Sequence, residues 1–176
     1  MERTVEDEER TFSGKPVALV IAAVLIITAL IKWWPSDVRD IRHQLDALAD
    51  ILSVPPVESD LSRTARLADL RSYFADSVQI RLPEQHIPNR DALMAIAETY
   101  HPPPGGIFIE FVNENISVPG DNTAHVIVTT RISRKNASNG ETDVEERQAA
   151  LDMAKRRGDW LITNVEQHEQ ASPPAQ

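Results

Sequence analysis

Five histidines, at positions 43, 86, 101, 125 and 168, are the first residues to examine for chemistry. No two of them are two or four residues apart, so neither a strand nor a helix would present a metal-ligand pair, and no metal site is expected. The chain has no cysteine, which removes disulfides, thiolate zinc sites and a lipid-modified cysteine. No phosphate-binding glycine loop or dinucleotide fingerprint is present, so no cofactor is expected either. For general acid–base work the candidates are Asp76, Tyr73 one turn before it, and His86 in a proline-flanked loop. Each also has a plain structural reading. Asp76 suits a solvated helix end, Tyr73 a core position with its hydroxyl at the rim, and His86 an exposed loop. His125 and Glu110 fall in strand-like stretches and would work as base and orienter only if they shared a face. Lys155-Arg156-Arg157, beside Asp152 and Asp159, reads as a solvated hairpin end. Asn115-Ile-Ser117 and Asn136-Ala-Ser138 match the glycosylation sequon, which matters only in a eukaryotic secretory context.

The strongest signal in the chain is physical rather than chemical. From Pro16 to Ile31 no charge occurs, and Thr28 is the only polar residue. Lys15 and Lys32 flank the run and can snorkel outward, while Trp33 and Trp34 suit an aromatic belt. Residues 15–34 are therefore expected to form a transmembrane helix, about 30 Å long. A buried core helix would normally show a polar face, and this run has none. Residues 1–14 form an acidic tail, unlike the short basic lead of a cleaved signal peptide, so the span is expected to be kept as a single-pass anchor. Lysine and arginine counts on the two sides tie. The domain is placed outside the cytoplasm, on the periplasmic side if the source is bacterial, because signal-anchored proteins commonly have that layout.

The positioning elements follow in residues 35–170, with 171–176 as a disordered tail. Net charge is −9. An acidic domain repels phosphate backbones, so nucleic acid is not an expected partner. Ser36 is a plausible N-cap, and Val38, Ile41, Leu45, Leu48 and Leu52 recur at helical spacing. Pro55-Pro56 break that helix. Asp60 is expected to cap a second helix running to about Ala75, with Leu61, Ala65, Leu67, Leu70 and Phe74 as its apolar positions. Val78, Ile80 and Leu82 then alternate as a short strand, and Asn89 caps a third helix. From Ile107 onward the pattern is strand. Its turns are expected at Pro119-Gly-Asp-Asn122, at Asn139-Gly140 and at Arg157-Gly158. Alternation puts Trp160 on one face with Ile162 and Asn164. Serial hairpins preceded by helices imply an α+β domain with an antiparallel sheet.

Two helices, a short strand, a third helix and four long strands is an order that resembles the nuclear-transport-factor-2-like (NTF2-like, SnoaL-like) fold. Leu70 to Ile80 is similar to that family's helix-to-strand passage, with Phe74-Ala75-Asp76 closing the second helix. Asn89-Arg90-Asp91-Ala92-Leu93 resembles the start of its third helix, with Asn89 where glycine often stands. Gly158-Asp159-Trp160-Leu161-Ile162 resembles its last hairpin, whose tryptophan enters the cone. The resemblance spans residues 37–168. It implies a cone-shaped domain of three helices on a curved sheet, in a family of both enzymes and binding or assembly modules.

The reading that follows is a membrane-anchored, non-catalytic binding or assembly module. Its expected partners are a second copy, a membrane protein or a small apolar ligand. The alternative is a tethered isomerase or dehydratase using the cone as its active site, which would need a buried acid or histidine facing a pocket. Ile127, Thr129, Leu151 and Met153 are expected to share a second apolar sheet face on which two copies could pack. If instead they belong to the domain's own core, strand register decides it.

Overall fold

The computed structural model describes residues 37–137 and 139–168, with only the backbone of His168. Lys15, Lys32, Trp33 and Trp34, with the rest of the expected span, lie outside the described residues, as do Ser36 and the expected C-terminal tail. Among the described residues no helix is long and apolar enough to cross a membrane.

Helix α1 (Asp37–Leu52) has two aspartates in its first turn and buries Ile41, Leu45, Leu48 and Ala49. Ile41, Leu45 and Leu48 are three or four apart and Ala49 is four beyond Leu45, so the stripe expected from spacing is the face that packs. Helix α2 (Asp60–Ser72) starts one residue earlier than expected. Ser59, not Asp60, is its N-cap, accepting from the Ser62 amide at 3.1 Å. It also ends sooner, because Phe74 and Ala75 belong to strand β1 (Phe74–Arg81). The Phe-Ala-Asp step thus opens a strand rather than closing a helix. Leu61 is exposed and only Leu70 of α2 is buried. Helix α3 (Arg90–Thr99) has the expected Asn89 cap, whose side chain accepts from the Ala92 amide at 2.8 Å.

A two-residue strand β2 (His86–Ile87) precedes α3, and four long strands follow it: β3 (Ile107–Gly120), β4 (Thr123–Lys135), β5 (Thr142–Arg156) and β6 (Asp159–His168). The sheet order is β2-β1-β6-β5-β4-β3. Consecutive strands from β3 to β6 pair antiparallel, as their short turns require. The join between β1 and β6 is parallel, which the antiparallel expectation missed. These strands are distant in sequence, so no hairpin constrains their sense. Arg157 and Gly158 both have positive φ in the two-residue turn that closes β5 onto β6. Asn139-Gly140 lies in the longer 136–141 loop between β4 and β5, with Gly140 at φ 74°.

Two bulges decide which side chains face where. In β3 the register shifts between Val112 and Asn115, and Asn113 adopts φ 53°. In β6 it shifts at Thr163, so that Asn164 lies opposite Asp152 while Ile162 lies opposite Met153. Trp160 and Ile162 are buried, but the extra residue turns Asn164 to the other face, against the expected alternation. The core runs continuously from Ile41, Leu45 and Leu48 of α1 to Val78 and Ile80 of β1, Val126 and Val128 of β4, Leu151 and Met153 of β5 and Trp160.

Candidate functional site

Tyr73, Asp76 and His86 are not brought together. Asp76 lies on β1 with its carboxylate 84% exposed and ion-paired to Arg90, whose guanidinium also donates to the Phe74 carbonyl at 3.1 Å. That pair holds it on the surface. His86 is exposed on β2, with Nε2 3.1 Å from the Gln79 side-chain oxygen. Tyr73 is the C-cap of α2 and is half-buried. Burial, with Asp69 and Asp50 nearby, raises its hydroxyl above the ordinary tyrosine range. Tyr73 lines a hollow of about 340 Å³ together with Gln44, Ser72, Asp159, Trp160 and Leu161. The hollow sits where α1, the end of α2 and the start of β6 meet, and the Gln44 amide donates to the Trp160 carbonyl there.

Glu110 and His125 do not pair either. Glu110 approaches Arg131 at 3.5 Å, and Arg131 also donates to Glu146 at 2.9 Å. His125 Nδ1 is 2.8 Å from Asp152 Oδ1, and Asn164 donates to the other oxygen of that carboxylate at 3.1 Å. The β6 bulge is what delivers Asn164 to this cluster. Among the described residues no three His, Cys, Asp or Glu side chains gather as a metal site.

Among the described residues, no polar or charged residue is fully buried. The nearest approach to a hidden acid is Glu114, which the sequence reading passed over. Its side chain is only 9% exposed, and it accepts from Arg42 of α1 at 3.2 Å. Burial pushes its carboxyl above the ordinary range and Asp46 adds to the rise, while the Arg42 contact pulls it down. The signal that could have found it is the run Asn113-Glu114-Asn115. Asparagine is rare inside strands but tolerates positive φ, so it marks a bulge that can re-aim a neighbour.

Comparison with known proteins bears on the fold. The chain is similar to an NTF2-like protein with a cystatin-like fold from Novosphingobium aromaticivorans, at 13% identity over 88% of this chain and 90% of that one, with a TM-score of 0.58. The fold is NTF2-like. A scytalone dehydratase-like protein from Novosphingobium aromaticivorans DSM 12444 matches at 15% identity over 75% of this chain and 83% of its own, TM-score 0.58. The association domain of C. elegans CaMKII matches at 16% identity over 74% and 94%, TM-score 0.58. No protein-family model and no curated protein matches the sequence.

In this NTF2-like sheet the four residues expected to share an outer face divide. Leu151 and Met153 are buried in the core, opposite Val126 and Ala124. Ile127 lies opposite Ala150, on the other side of the sheet, and Thr129 follows it two residues on. Register is the physical reason: β5 is set so that its odd-numbered residues near the centre meet the even-numbered inward residues of β4. The outer face carries Phe108, Ile127 and Val144, which are 51%, 37% and 53% exposed.

Proposed function

We propose that this chain is a single-pass, membrane-anchored assembly module whose NTF2-like domain pairs with a second copy through the outer face of its sheet. The observation that carries the reading is the division of polar and apolar groups. The interior is packed with apolar side chains, with no buried polar residue among those described, while Phe108, Ile127 and Val144 stand exposed on the opposite face. A sheet face with such residues is favourable to cover. Some neighbours of the same fold are named as association domains, which supports assembly as one use of this scaffold. The anchor rests on residues 15–34: an uncharged apolar run, flanking lysines and a tryptophan pair. Confinement to a membrane would raise the effective concentration of the domains and so favour pairing. The domain is placed on the extracytoplasmic side.

The test is the oligomeric state of the full chain in nonionic detergent, by light scattering coupled to size exclusion. Wild type is expected as a dimer and Phe108→Glu/Ile127→Glu as a folded monomer. Wild type that stays monomeric at high micromolar concentration would rule out the pairing. A second reading, a tethered isomerase or dehydratase, is favoured only by Glu114, the one acid among the described residues with low exposure and a raised carboxyl. That reading requires Glu114→Gln to abolish a turnover that wild type performs.

A further inference from the structure

The outer face holds two polar clusters as well as its apolar residues. Toward one end Arg131 of β4 lies between Glu110 of β3 and Glu146 of β5. Toward the other, His125 of β4 contacts Asp152 of β5, which Asn164 of β6 also holds. Between them Ile127 pairs with Ala150, and Glu166 of β6 lies next in that row. On this face the described charges are the carboxylates of Glu110, Glu146, Asp152, Asp159 and Glu166, against the cations of Arg81 (opposite Glu166), Arg131, Lys135 and Arg156 (opposite Asp159). The carboxylates are in excess by one, and the unbalanced acid next to His125 is Asp152.

A two-fold interface has one property that holds for every choice of axis: the patch meets itself. Net negative charge on the patch is therefore opposed by the same net negative charge on the partner. Lowering that charge weakens the repulsion from both sides at once. Histidine is the side chain that changes charge between about pH 5 and 8. His125 is half exposed in the monomer and already touches a carboxylate, so an added proton is met by Asp152 before any partner arrives. From β3 it faces Ser117, which is uncharged.

We infer that His125 makes self-association of this domain pH-dependent, with the second copy bound more tightly when the imidazole is protonated. This rests on the pairing proposed above. The sign follows directly: the protonated form has a smaller net negative charge on each of two facing patches. Mass-action linkage then requires dimer formation to take up protons as pH falls.

The experiment measures the dimer dissociation constant of the full chain in nonionic detergent at pH 8 and pH 6, at low salt. We expect about a fivefold or greater tightening at pH 6, a typical size for linked binding. The change should shrink at high salt, where exposed charges are screened. His125→Gln, at a half-exposed position, should stay folded by circular dichroism and lose the pH dependence. A dimer equally tight at both pH values would overturn the inference while leaving the pairing intact. So would a His125→Gln dimer that keeps the full pH response. A protein monomeric at both pH values would overturn the pairing itself.

Discussion

Arg42 of α1 donates to Glu114 of β3 at 3.2 Å, and the two partners are unequally buried: the arginine is 55% exposed, the glutamate 9%. Removing a carboxylate from water outweighs its exposed partner's help, which is why the Glu114 carboxyl is raised. A raised carboxyl binds its proton more tightly folded than unfolded. Its contribution to stability is therefore fully present below the unfolded value and is lost as pH rises through the folded one. Glu114→Gln should then be at least as stable as wild type at pH 7. Wild type should gain on the variant as pH falls toward 4. Thermal melts across that range check it, and a loss of about 1 kcal/mol or more in the variant at pH 7 would mean the ion pair dominates.

Trp160 is 2% exposed and belongs to the continuous core. It follows a two-residue turn, so its strand has little room to shift and refill the space it would leave. Trp160→Ala should cost about 3–5 kcal/mol in denaturant unfolding. A loss below about 1 kcal/mol would mean that the surrounding core collapses into the gap.

The anchor proposed at residues 15–34 makes its own prediction. Leu25 is near the centre of the apolar run, and Leu25→Arg should cost about 2.5–3.5 kcal/mol of insertion free energy. Wild type should stay with membranes after carbonate washing, with a lower membrane-bound fraction in the variant. A mature chain that begins after residue 34, or one released by carbonate, would rule the anchor out.

Periodic features were legible in the sequence, and single-residue insertions were not. Ile41, Leu45 and Leu48 mark α1 because helical spacing repeats often enough to survive a small error in the boundaries. The Asn89 cap and the three hairpin turns are local chemistry and were read in place. The face of Asn164 was not, because one extra residue at Thr163 inverts everything beyond it in a period-two element. Glu114 was hidden for the same reason at Asn113. Leu151 and Met153 resemble outward residues until their register with Val126 and Ala124 is known. The parallel join of β1 to β6 depends on two segments far apart in the chain, which no local pattern encodes.

The start of β3 is bound on its outer edge by Val54, whose amide and carbonyl exchange 2.8 Å hydrogen bonds with Ile107. Ser53 adds a hydroxyl contact to the Ile109 amide at 2.9 Å. Farther along, the bulge at Asn113 breaks the regular ladder of exposed backbone groups. The opposite border of the sheet, β2, is only two residues long. The bulge and the short β2 keep either border from being a long, regular template, which disfavours strand-by-strand growth into fibres. The face-to-face pairing proposed above would close after two subunits, whereas contact through borders would have no natural stopping point.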